Sequence, residues 1–387
     1  MSASVVISNR GSERLRAGHP WIYRSDVAGA DLEPGALVLV QSERGRPLGW
    51  ALFSSTSQIA LRMVSFDKNV DDATMWRDRI ASAIAYRDSL KIDATARRLV
   101  HGEADRLPAL VIDQYDDVLV VQTLCQGIDR RRDQVVAALV ELLKPRGILA
   151  RNDPKVRRLE GLAETVEVLY GDVPDVVRVR EGQIFHDVDV RRGQKTGLFL
   201  DQRENHLAAA GLARGRALDA FSYHGGFALQ MAAHCDHVTA LDSSEPAVEV
   251  IGANARANGV ANVDARAVNV FDELREFDIA NTRFDTIVLD PPAFAKNKAS
   301  IPGAMAGYKE INLRAMKLLA PGGYLMTCSC SYNISDTMFL DIVTDASRDA
   351  RAEMALVERR LQSRDHPVLV GVPETSYLKC LVLRKIA

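Results

Sequence analysis

The chain has 387 residues, 47% of them apolar, and a formal charge of −2. It is long enough for two or three domains with sizeable cores, and its balance of charge excludes a uniformly basic nucleic-acid coat while leaving room for a local basic groove. No stretch approaches the roughly 20 apolar residues of a membrane helix, and the start reads as polar and unlike a secretion signal, so a cytoplasmic location is expected.

In chain order, short β-rich runs at 36–41, 48–53 and 59–64 alternate with turn residues, the pattern of a small barrel over residues 1–70. Within it, Arg14, Arg16, Trp21 and Tyr23 mix cations with aromatics, as phosphates and stacked bases require. Residues 71–185 carry an amphipathic helix at 75–90, strands at 110–112 and 118–124, a helix at 133–143, and strands at 148–150 and 166–169. A small mixed sheet with helices is expected there. Arg130 to Arg132, and Arg151, Lys155, Arg157 and Arg158, form two basic clusters.

Residues 186–387 alternate strands (217–221, 238–241, 264–268, 286–289, 324–328) with helices (227–233, 246–258, 307–319, 336–347). That order predicts an α/β, Rossmann-like, doubly wound parallel sheet. The run Asp219-Ala220-Phe221-Ser222-Tyr223-His224-Gly225-Gly226 lies where the first strand hands over to a helix. Paired glycines admit a ligand close to the backbone, and an acidic opening residue suits an amine-bearing ligand better than a pyrophosphate. Asp242, about 20 residues on, ends the second strand and is suited to ribose hydroxyls, and Asn269 ends the third, where an adenine edge would lie. Together they fit S-adenosylmethionine. Lys195 to Arg203 has little periodicity and reads as a lid over that cofactor.

Asp290-Pro291-Pro292-Ala293-Phe294 must turn out at a strand end, because two prolines forbid continuation of helix or ladder; Phe294 is expected to stack on a base. The next strand ends in Cys328-Ser329-Cys330-Ser331. A thiol beside a carboxylate suits methylation at pyrimidine C5. Thiolate addition at C6 makes C5 nucleophilic, whereas methylation of an amine needs no thiol. The five scattered cysteines suit a reducing compartment, and no metal site is expected.

These residues resemble the RlmI-like family of ribosomal RNA large-subunit cytosine-C5 methyltransferases. The resemblance spans nearly the whole chain: His19-Pro20-Trp21-Ile22-Tyr23, Gly102 to Pro108, Lys195-Thr196-Gly197 with Leu200 to Arg203, Phe221 to Phe227, Asp290-Pro291-Pro292 and Ser329-Cys330-Ser331. It implies an N-terminal PUA RNA-binding barrel, a central α+β domain, and a class I catalytic domain that uses S-adenosylmethionine. By match to the family pattern, Cys330 is the nucleophile and Asp290 the active-site acid. The cofactor pocket is expected from Gln202, Asp219, Phe221, Ser222, Tyr223, Gly225, Asp242, Asn269 and Asp290. The implied partner is 23S-type ribosomal RNA with a cytosine target, with no membrane association and room for a homodimer. Asn269 and Cys328 depart from the family pattern. Two rivals stay open: an exocyclic-amine or guanine methyltransferase on the same scaffold, and a non-catalytic RNA-binding assembly factor.

Overall fold

The computed structural model describes residues 3–29, 32–67, 69–295 and 297–386. Met1 and Ala387, the outer ends of the expected ranges 1–70 and 186–387, lie outside them. The chain divides into two compact units: 1–179 with 187–200 and 364–375, and 180–186 with 201–363 and 376–387.

The first unit holds two five-stranded sheets. One orders its strands Ser4–Ile7, Leu37–Ser42, Pro47–Phe53, Ile59–Ser65 and Trp21–Tyr23. Val38 and Val40 alternate inward and are fully buried, the period-2 signature behind the expected barrel strands. At Gly49 the backbone φ is +136° and an added Cβ would lie 2.2 Å from Ser65 O, so glycine alone fits there. The other sheet runs Thr165–Gly171, Gly147–Asn152, Val118–Thr123, Leu110–Tyr115, Ala96–His101, with one parallel pair among antiparallel ones. Helices Met75–Ser89 and Arg132–Leu143 cover it, and Trp76, Ile80, Val135 and Leu139 share a core with Leu52 and Val64 of the first sheet.

Several residues of the cation–aromatic run and of the basic clusters also have partners within this unit. Arg14 pairs with Asp26 at 3.0 Å and stacks on Tyr23, and the Trp21 indole donates to Glu103 at 2.9 Å. Arg151 and Arg157 are buried and donate to backbone carbonyls of Val190, Thr123 and Ala163. Arg130 and Arg132 form ion pairs with Glu33 and Glu167. Buried Arg151 and Arg157 are thereby structural, whereas Arg130 stays exposed and Arg132 half-exposed. The Lys195 end of the expected lid is likewise anchored. Buried Thr196 donates to Asp113 at 2.6 Å and bonds Tyr115 at 2.9 Å, and Tyr115 accepts from Leu198 N.

The second unit carries a seven-stranded sheet. Its strands are β1 (Arg216–Ala220), β2 (His237–Asp242), β3 (Val263–Ala267), β4 (Phe284–Leu289), β5 (Leu319–Ser329), β6 (Met354–Arg360) and β7 (Lys379–Lys385). Their spatial order is β3-β2-β1-β4-β5-β7-β6. The first five strands are parallel, but β7 is antiparallel to both β5 and β6. The sheet is therefore mixed rather than wholly parallel; the apolar run Cys380 to Leu383 supplies a final strand inserted beside β5. The helices are α1 (Arg203–Leu212), α2 (Gly226–Ala232), α3 (Glu245–Ala257), α4 (Val270–Ile279), α5 (Ile301–Leu318) and α6 (Asp336–Ala350).

Strand alternation sorts the two faces. Leu218, Ile287, Leu289 and Leu325 pack with Leu274, Tyr308, Ile311 and Phe339 of α4, α5 and α6. Ala217, Val288, Met326 and Cys328 pack with Ala209, Phe227, Met231 and Ile251 of α1, α2 and α3. Strand order reverses between β1 and β4, so their carboxyl ends open a crevice, the usual place for a ligand in such sheets.

Candidate active site

At the β1 end, Asp219 is fully buried. Its Oδ2 accepts from Ser222 Oγ at 2.5 Å and from Ala228 N at 2.9 Å, while among the described residues its Oδ1 has no partner. Burial pushes this carboxyl up to about 6, against the pull of those two hydrogen bonds. An unmet buried carboxylate oxygen is costly unless a ligand donates to it, and an ammonium group does so best.

The following loop is strained in a specific way. Phe221 (φ 68°), Tyr223 (φ 50°) and Gly225 (φ 81°) are all left-handed, and the first two bear side chains for which that region costs roughly 1–2 kcal/mol each. The strain buys a tight turn that sends Tyr223 N to Asp242 Oδ2 at 2.9 Å. Asp242 Oδ1 accepts from Ser244 N at the same distance, so two amides orient the half-buried carboxylate at the end of β2. Gly226 has no room for a side chain, since an added Cβ would sit 2.5 Å from His206. His206 Nδ1 lies 2.8 Å from Glu181 Oε1, both side chains about a tenth exposed. Burial opposes the imidazolium, but the Glu181 charge outweighs it and raises His206, while Glu181 is lowered despite its own burial. The sequence reading missed this pair, whose members lie on different elements.

Asn269 is exposed and N-caps α4, its side chain accepting from Phe271 N at 2.9 Å. Its carbonyl oxygen thus serves the helix, leaving the amide as the free hydrogen-bonding group. Phe294 is half-buried and packs among Phe221, Phe271 and Tyr308, with ring centroids 6.4, 6.0 and 4.7 Å away, as one member of an aromatic cluster.

Asp290, half-buried at the end of β4, accepts from Gln202 Nε2 at 2.8 Å. Gln202 in turn accepts from Asn205 at 2.6 Å, and Asn205 accepts from Arg360 at 2.8 Å. That chain fixes the direction of the Asp290 carboxylate from helix α1 and strand β6. Next to it, Cys330 is half-buried just past β5, its Sγ 3.9 Å from Pro291 O. The thiol faces the Asp290-Pro291-Pro292 turn. Cys328 is a different case: fully buried opposite Cys380 in register, it is raised far above an ordinary thiol by that neighbour and by burial, and cannot act as a nucleophile. Tyr308 and Lys379, which bond the residues flanking Cys330, were not foreseen either.

The geometry therefore sets three carboxylates, Asp219, Asp242 and Asp290, and the Cys330 thiol along one sheet edge. Residues 97–384 match the S-adenosylmethionine-dependent methyltransferase family, and residues 5–66 match the PUA-like domain. The chain belongs to the S-adenosylmethionine-dependent methyltransferases.

This methyltransferase has full-length relatives. One from Tolumonas auensis is 41% identical over 100% of both chains, and one from Shewanella denitrificans is 40% identical over 97% of each; both are named ribosomal RNA large subunit methyltransferase I. Its fold is shared by an S-adenosylmethionine-dependent methyltransferase from Streptococcus mutans, with a TM-score of 0.83, 20% identity, and coverage of 99% and 100%. A second methyltransferase structure, complexed with SAH, gives a TM-score of 0.85 at 21% identity and the same coverage. The methyltransferase uses S-adenosylmethionine, and the unmet Asp219 oxygen under a glycine turn fits that cofactor.

Proposed function

We propose that this methyltransferase adds a methyl group to C5 of a cytosine in large-subunit ribosomal RNA, with Cys330 as a covalent nucleophile. The full-length relatives' shared name supports the RNA, and the observation that carries the chemistry is the half-buried Cys330 thiol facing the turn that follows Asp290. The expected division is an RNA-binding barrel over 1–70, a central domain over 71–185, and a catalytic domain over 186–387.

In this reading Asp219 receives the cofactor's ammonium, the Phe221-Ser222-Tyr223 turn with Gly225 encloses its amino-acid portion, and Asp242 accepts its ribose hydroxyls. The Asn269 amide faces the adenine. S-adenosylmethionine supplies an electrophilic methyl on a sulfonium. The target base leaves its stack to enter the crevice, because its C5 and C6 are otherwise covered. Asp290, aimed by Gln202, hydrogen-bonds the base at N3 or its amine and holds C6 against the Cys330 thiolate. The thiolate would form a bond to C6, pushing the C5–C6 π pair onto C5; that pair would take the methyl as the methyl–sulfur bond breaks and its electrons leave on the thioether. Water then takes the C5 proton, the C5–H pair restores the C5–C6 double bond, and the C6–S bond breaks to release the thiolate, so Cys330 is regenerated.

Cys330→Ala is expected to lower methyl transfer by at least about 10³-fold, since the covalent route is lost rather than weakened. Wild-type enzyme with 5-fluorocytosine RNA is expected to give a protein–RNA adduct stable to denaturing gel electrophoresis. Retention of activity by Cys330→Ala would assign the reaction to a nitrogen of the base instead.

A further inference from the structure

The turn after β5 wraps around a buried ammonium. Lys379 stands directly across from Ser329 in the β5–β7 register and is 6% exposed. Its Nζ donates to Ser331 O at 2.9 Å and to Ile334 O at 2.8 Å, two carbonyls of the segment that begins at Cys330. From the other side, Tyr308 Oη accepts from Ser329 Oγ at 3.0 Å and bonds Ser331 Oγ at 2.9 Å, and Ser331 Oγ accepts from Ala295 N at 3.1 Å. Cys330 is thus the middle residue of three, with both neighbours clamped and its own side chain directed at Pro291 O.

Hydrogen bonds alone would not require a lysine here, because a neutral donor could satisfy two carbonyls. The charge is what stands out. Both bonds of Lys379 go to neutral oxygens; burial lowers its ammonium from the ordinary lysine range, and the acidic groups that pull the other way are Asp336 and Cys330. Asp336 is exposed in the first turn of α6, where water screens it. Among the described residues, the other ionisable groups beside Cys330 include Tyr308 from α5, which is neutral and raised by burial, and Asp290 beside Pro291, whose charge opposes a thiolate. A buried cation costs free energy unless an anion compensates it.

We propose that Lys379 is a positioning residue for Cys330, holding the turn that presents the side chain and favouring its thiolate form. This rests on the reading of Cys330 as the nucleophile. A resting thiolate would spare the enzyme a separate base for the first step.

The test is the pH dependence of Cys330 alkylation by iodoacetamide in the full-length protein, read from the mass of its peptide. Cys125, Cys328 and Cys380 are buried and do not compete. In the wild type the midpoint is expected below the ordinary cysteine value of about 8.5. Lys379→Gln, which keeps a donor and removes the charge, and Lys379→Met should both raise it by about one pH unit, roughly a tenfold loss of thiolate near neutrality. Lys379→Arg should keep it near the wild-type value. A wild-type midpoint at or above about 8.5 overturns the proposal, as does a midpoint that stays put in either neutral variant; if neither folds, the wild-type arm decides. The nucleophile reading fails separately, through an active Cys330→Ala variant, in which case a shifted midpoint would still establish the Lys379–Cys330 coupling.

Discussion

In the proposed cofactor site, Asp219 sets an acid limit for binding. Its carboxyl, raised to about 6 by burial, must be ionised to hold an ammonium. Cofactor affinity should therefore fall by about tenfold per unit below pH 6, measured by calorimetry between pH 5 and 7, where the cofactor's amine stays protonated. The stability sign is the opposite. A carboxyl whose folded value lies above its unfolded value of 3.8 stabilises the fold fully below 3.8 and loses that contribution as pH rises through about 6. Asp219→Asn should consequently raise the melting temperature of the free protein at pH 8 while weakening cofactor binding by about 10–100-fold. Glu181 and His206 behave as a charged pair. Raised His206 contributes stability that is present below 6.5 and lost as pH rises through its folded value; lowered Glu181 contributes stability present above 4.5 and lost as pH falls through its own. Their window thus centres on slightly acidic pH. Glu181→Gln, which leaves a buried imidazolium without its anion, is expected to cost about 3 kcal/mol at pH 6 and much less at pH 9, by urea titration.

At the scale of elements, the site depends on how α1 and β6 aim Asp290. Gln202 has its carboxamide locked by Asn205, and Asn205 by Arg360, 155 residues further along the chain. Gln202 can turn its amide either way in isolation, and the Asn205 donor decides that its Nε2 faces Asp290. Asn205→Ala removes that decision without touching the carboxylate. The expected result is a 10–100-fold loss of kcat with cofactor affinity unchanged, separated by single-turnover kinetics and calorimetry. A comparable loss of cofactor affinity would mean that Asn205 supports the fold of α1 and not the direction of Asp290.

The whole molecule is threaded so that each unit depends on distant chain. Residues 364–375 belong to the first unit although they follow most of the second. Buried Asp365 accepts from Arg98 N at 2.9 Å with its carboxylate and from Arg87 with its carbonyl at 2.8 Å. All three tryptophans, Trp21, Trp50 and Trp76, lie in the first unit, so their fluorescence reports on it alone. Asp365→Ala keeps the carbonyl bond from Arg87 but removes the carboxylate that accepts from Arg98 N and faces His366 Nδ1 at 2.9 Å, and should lower the stability read by tryptophan fluorescence in urea by about 2–3 kcal/mol. An unchanged midpoint would show that this late segment is not part of the unit's cooperative core.

Local pattern alone determined much of this protein. Val38 and Val40 revealed their strand by alternation, the two prolines after Asp290 marked a strand end, and the Asp219–Gly226 run announced a close-approach turn, because each depends on residues adjacent in the chain. The Cys328-Ser329-Cys330-Ser331 run was visible by its position at a strand end, and the family resemblance chose Cys330 within it. Tertiary structure decided the rest. Antiparallel β7 was hidden because an apolar run of four residues has no direction until it has a neighbour. Lys379, Tyr308, Glu181, His206 and Arg360 carry no motif of their own; they matter through partners 20 to more than 150 residues away. Arg151 and Arg157 looked like surface cations until burial showed which carbonyls they serve. Charge and periodicity are written along the chain, but the partner that gives a charge its role is chosen only when the strands find their order.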